Sequence, residues 1–188
     1  MTEGRSVGPV RGEKDPGISG EERSLLGSFA EHHRVPPEEV RVASLLDPSG
    51  ERAAMVIVVT IATMRRIARE TGKFSGSDPP EFERDGHGLP AAATVRVHRT
   101  DLPRGLARTA FWHERAPRFE EGEPPGRWPG APDTVLAEVA EALALRGAFP
   151  QVLEGVYIEE DLGEALRDLE LREVHRENER RRTMEALR

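Results

Sequence analysis

The sequence predicts an α+β fold, a small antiparallel sheet with a β-hairpin packed against helices and followed by a charged C-terminal helix. Three observations predict it. Met55 to Ile61, MVIVVTI, is a continuous run dominated by β-branched residues and reads as a buried strand. Ala93 to Arg99 alternates, with Thr94, Arg96 and His98 on one face and Val95 and Val97 on the other, and Leu106 to Trp112 follows a turn at Asp101 to Gly105. Between Pro132 and Pro150 the period changes to that of a helix: at about 100° per residue, Val135, Leu136, Val139, Ala140, Ala142 and Leu143 share one arc. Glu138 and Glu141 fall opposite.

The other elements follow in order. Residues 1–18, rich in glycine and charge, predict a disordered segment. Ser19 to His33 predicts a helix, capped by Ser19 with Glu22 three residues on and striped by Leu25, Leu26 and Phe29. Val35-Pro36-Pro37 ends it, and Val40 to Leu45 predicts a short strand before the turn Asp47-Pro48-Ser49-Gly50. Ala62 to Gly72 predicts a helix with Met64, Ile67 and Ala68 inward and Gly72 as its stop. Gly76 to Gly88 is turn-rich, and Glu114 to Pro132 predicts a long loop. In the central helix Asp133 is the expected N-cap, and Gly147 is expected just past the C-terminus. A core domain over 19–162 is thus followed by a helical tail over 163–188, dense in both charge signs.

Composition narrows the function. With 37% apolar residues the chain can build one core, and a net charge of −7 argues against a generic polyanion binder. Any nucleic-acid contact must come from local arginine placement. The absence of cysteine excludes disulfides and thiolate metal sites. With no apolar run of membrane-spanning length and no signal core, a soluble cytoplasmic protein without a membrane partner is expected. Lys73 follows Gly72 but precedes Phe74, so no phosphate-binding loop forms and an ATPase is not indicated. His113-Glu114 continues as Arg-Ala-Pro, which gives no helical zinc pair. No catalytic site, metal or cofactor is indicated.

Binding chemistry remains. A single strand is held by a cationic groove with stacking platforms. The candidates are Arg65, Arg66, Arg69 and Lys73 around the second helix, Arg96 and Arg108 on the hairpin, and Arg146, with Trp112 and Trp128 as stackers. The alternative for the helix arginines is a solvated face, and for Trp112 a place in the core. Arg146 falls inside the apolar arc, so its guanidinium either reaches water at the helix end, pairs with an acid, or meets an anion such as a phosphate.

Trp128, then Pro132, the helix Ala140 to Arg146, Ala148-Phe149-Pro150 and Gly155-Val-Tyr157-Ile-Glu159-Glu160 follow one another in an order that resembles the phage Bet/RecT family of single-strand annealing proteins. Upstream, Ile67-Ala68-Arg69-Glu70-Thr71-Gly72-Lys73-Phe74-Ser75-Gly76 and Asp78-Pro79-Pro80-Glu81-Phe82 resemble a second family segment in order and spacing, and Trp112 matches its strand tryptophan. The resemblance spans residues 40–162. It implies ATP-independent binding and annealing of single-stranded DNA in phage-type recombination, self-assembly into rings or helical filaments, and work beside a phage-type exonuclease and a host single-strand-binding protein. It also implies that Arg146 faces the DNA backbone. The chain departs from the family pattern at Asp133 and Thr134, where the family places basic residues, and at Ala62-Thr63, where it has Asp-Gly. These departures define the alternative, a diverged member acting as an assembly or accessory protein.

Overall fold

A computed structural model describes residues 18–46, 52–116 and 126–163. The segment before Ile18, the turn at 47–50 and the charged tail lie outside these residues, apart from Gly163. The chain folds as an α+β structure with two small sheets.

Helix α1 (Gly20–His32) begins where Ser19 caps it. The Ser19 hydroxyl accepts from the Glu22 amide at 3.2 Å, and the Glu22 carboxylate accepts from the Ser19 amide at 2.8 Å. Those bonds, the backbone one first, hold the Glu22 carboxyl below its ordinary pKa. Ser19→Ala is expected to lower the unfolding free energy by about 1 kcal/mol, read as a fall in urea midpoint at unchanged slope.

A turn of 3-10 helix at Pro37–Glu39 leads into β1 (Val40–Leu46), which pairs antiparallel with β2 (Arg52–Val59). The strand expected to run to Ile61 stops at Val59. Thr60 is a helix cap instead: its hydroxyl accepts from the Thr63 amide at 3.2 Å, and Ile61 opens α2 (Ile61–Glu70). Gly72, at φ +69°, ends that helix as expected.

The second sheet is larger than the predicted hairpin. β3 (Phe74–Ser77) and β4 (Glu81–Arg84) both lie along one edge of β5 (Pro90–Arg99), and β6 (Leu106–Phe111) lies along the other. The turn-rich stretch 76–88 therefore holds the break and the second half of one edge strand that starts at Phe74. Pro79 and Pro80 have no N–H to donate, so the ladder is interrupted between Ser77 and Glu81. Trp112, expected to end the strand, opens the short helix α3 (Trp112–Arg115).

Helix α4 (Pro132–Ala148) is the centre of the core. It packs across β5 and β6, with α2 and the short helix α5 (Pro150–Leu153) also against it. Val135, Leu136, Val139, Ala140, Ala142, Ala144 and Leu145 are all fully buried, so the helix is enclosed on more than the single predicted arc. Glu141, expected on the outer face, is only 5% exposed. Asp133 is not the N-cap: Ala131 holds that position, Pro132 is the first helical residue, and the Asp133 carboxylate pairs with Arg84. Gly147 lies within the helix, where a Cβ would stand 2.6 Å from Leu106 Cδ2, so it lets β6 approach closely. Finally β7 (Val156–Tyr157) adds to β2 in parallel, aligning Ile57 with Val156 and Val58 with Tyr157.

Candidate nucleic-acid interface

Helix α2, β3, β4 and helix α4 enclose an open cleft of about 700 Å³. Arg65 and Arg69 reach it from α2, Phe74 and Phe82 from the two halves of the broken strand, and Asp133, Glu138 and Glu141 from α4. The segments 67–76 and 78–82 and the central helix, far apart in sequence, thus share one concavity.

The predicted cations are mostly committed to carboxylates. Arg65 donates through Nε to Glu141 Oε1 at 2.7 Å and through Nη2 to Oε2, and the Ser77 hydroxyl donates to the same carboxylate at 2.9 Å. This bonding to Glu141 raises the Arg65 pKa above its ordinary value. Arg66 makes a two-pronged contact with Glu39, at 2.8 and 3.2 Å, and Thr63 Oγ1 donates to Glu39 at 2.8 Å. The Thr63 hydroxyl first, then Arg66, holds the Glu39 carboxyl below its usual range. Lys73 lies 3.2 Å from Asp101, which also binds Arg99; mainly through Arg99, the Asp101 carboxyl falls far below the ordinary value. Arg96 and His98 share Asp78, at 3.6 and 2.8 Å.

Two predicted cations stay without an ion pair among the described residues. Arg69 is exposed, with its guanidinium carbon 5.8 Å from the Phe74 ring centre. Arg108 is exposed beside the end of α4 and, among the described residues, donates to the neighbouring Ala107 carbonyl at 3.1 Å.

Arg146 does not face the cleft. Its side chain is 10% exposed, and Nη2 donates to the buried carboxylate of Asp161 while Nη1 donates to the Val156 carbonyl at 3.4 Å. The guanidinium lies 4.6 Å from the Tyr157 ring centre, and Arg115 approaches Asp161 from another side at 3.6 Å. Of the three readings open in the sequence, the pair with an acid is the one the geometry selects. A buried fork needs a buried acid, and Asp161 directly follows the Gly-Val-Tyr-Ile-Glu-Glu segment. An arginine in an apolar arc was the available signal that such an acid had to exist.

The tryptophans do not serve as free plates. Trp128 is 3% exposed, and Trp112 is half-buried with its ring edge-on to Trp128 at 5.2 Å. They form one edge-to-face pair, Trp128 within the core and Trp112 packed against it. The aromatic rings on the cleft are instead Phe74, just after the Gly72 stop, and Phe82, within the turn-rich stretch 76–88.

The cleft acids are themselves paired. Asp133 binds Arg84 at 2.6 Å, Glu138 binds Arg127 at 2.7 Å, Asp78 binds Arg96 and Glu141 binds Arg65. Four of the cleft's lining residues are carboxylates and two, Arg65 and Arg69, are arginines; Arg84, Arg96 and Arg127 pair with three of the acids from outside the lining, and Arg127 also holds Glu160 at 3.2 Å.

No family model matches this chain, and no curated protein matches it. Among the described residues, no helix is long and apolar enough to cross a membrane.

Proposed function

We propose that the chain binds single-stranded DNA and anneals complementary strands without ATP, as a self-associating protein of the Bet/RecT kind in phage-type recombination. The observation that carries this reading is the composition of the cleft. The segments that carry the upstream resemblance, together with the central helix, form its walls; each of its lining acids is paired with an arginine, and Arg69 is a lining cation without an ion pair among the described residues.

In this reading a strand lies along the cleft with phosphates toward Arg69. The pairs Arg84–Asp133 and Arg96–Asp78 are close to half-exposed, so they are worth at most about 1 kcal/mol each and can exchange a carboxylate for a phosphate at low cost. Contacts to the backbone carry no sequence information, which leaves the base edges free to find a complement. The annealing step breaks and forms only base pairs, so it needs no nucleophile and no nucleotide. A phage-type exonuclease supplying single strands, and a host single-strand-binding protein, belong to the same proposal.

Few phosphates can be neutralised here, so affinity is expected to be weak and best seen at low salt. A quenched-fluorophore annealing assay, without nucleotide or divalent metal, is expected to show protein-dependent acceleration. Light scattering is expected to show self-association that grows with added strand. A monomer with no acceleration at micromolar concentrations overturns the proposal.

A second reading is favoured by a specific observation: five of the seven predicted cations, Arg65, Arg66, Lys73, Arg96 and Arg146, already hold carboxylates. A diverged member that keeps the architecture as an assembly or accessory protein would look like this. It predicts self-association without strand binding in the same two measurements.

A further inference from the structure

The cleft wall carries two aromatic rings that the phosphate contacts do not use. Phe74 and Phe82 are both half-buried, with their rings on the cleft wall and their backs against the core. Each is accompanied by a guanidinium: Arg69 stands 5.8 Å from the Phe74 ring centre and Arg84 stands 5.4 Å from that of Phe82. A ring fixed on one side by packing, beside an exposed planar cation, offers a plate on which a flat heterocycle can stack.

The two plates are spaced. Phe74 is opposite Arg99 and Phe82 opposite Ala93 on β5, six positions apart. At about 3.3 Å per residue their backbone positions stand roughly 20 Å apart along the strand. With stacked nucleotides about 3.4 Å apart, some six nucleotides separate them, so a mononucleotide reaches one plate and only a longer strand reaches both.

We infer that Phe74 with Arg69 and Phe82 with Arg84 are base-stacking platforms of the cleft, and that single strands are held here largely by their bases. This rests on the single-strand reading above and deepens it. Stacking engages the face of a base and leaves its pairing edge open, which annealing requires. It also fits a chain of net charge −7 whose phosphate-binding cations are mostly occupied, because stacking needs no counterion release.

The test compares wild-type protein with two fluorescent strands of equal length and phosphate count, one carrying bases and one wholly abasic. The abasic strand is expected to bind at least about fivefold more weakly. An adenine-analogue reporter in the base-bearing strand is expected to change its emission on binding. Phe74→Leu and Phe82→Leu keep an apolar side chain against the core and are each expected to weaken the base-bearing strand while leaving the abasic one unchanged. Equal binding of the two strands overturns the inference and leaves the single-strand reading standing; binding of neither overturns both. A free deoxynucleoside monophosphate that competes as well as the strand would make this a nucleotide pocket, and would also overturn it.

Discussion

Arg146→Ala is expected to lower the unfolding free energy by about 3–5 kcal/mol, the largest effect of any single change in a charged residue considered. The cost does not come mainly from the lost bonds. Asp161 is 2% exposed, and with Arg146 removed its carboxylate loses the fork beside it while still facing the core. Arg115, at 3.6 Å, is too far to replace a direct hydrogen bond without moving. Arg146→Lys keeps the charge and loses the planar fork and its stacking on Tyr157, so it is expected to fall between the wild type and Ala. Urea unfolding followed by tryptophan emission measures both. Under conditions where Arg146→Ala stays folded, its single-strand affinity is expected to match the wild type. A selective loss of affinity at unchanged stability would return Arg146 to the role the family resemblance implies.

Glu141→Gln is the second large expected effect, and it has two opposite parts. The amide keeps the volume and still accepts from Ser77, but it gives up the charged partner of Arg65. Loss of a charge-assisted bond at a buried acid is expected to cost about 1.5–3 kcal/mol. The freed Arg65, 38% exposed and on the cleft wall, then becomes available to a phosphate. One added phosphate contact on a single strand steepens the dependence of log affinity on log salt by about 0.7. The variant is therefore expected to be less stable than the wild type and to bind single-stranded DNA more tightly at low salt. Chemical denaturation and a salt titration of binding check the two parts separately. Unchanged affinity and slope would mean that strands do not pass Arg65.

Much of the fold was legible because local chemistry and the global pattern agree. The capping box at Ser19, the β-branched run of β2, the alternation of β5 and the glycine stop at Gly72 each rest on a short-range rule. The misreadings arose where a distant partner decided the outcome. β3 and β4 carry little pattern of their own and are strands because β5 lies beside them. Asp133 looked like a cap and was drawn to Arg84, and Glu141 looked solvent-facing and was drawn inward by Arg65 and Ser77. The candidate site was less legible than the fold for the same reason. A cation's usefulness depends on the carboxylates near it, and those come from 27 residues away for Arg66, 76 for Arg65 and 15 for Arg146. Arg69 and Arg108 could be told from the others only once the pairs were in place.

The parallel pairing of Val156–Tyr157 with β2 sets a timetable for biosynthesis. The first hairpin can form early, but the strand that completes its sheet is encoded roughly one hundred residues later, which at ribosomal speed is on the order of 5–20 s. Throughout that interval the inner edge of β2, with Ile57 and Val58, has no neighbour from its own chain. Contacts so distant along the polypeptide also slow the search for the native state. Completion of this sheet therefore waits for Val156–Tyr157 to emerge, and the nascent chain is most open to stray strand addition just before then.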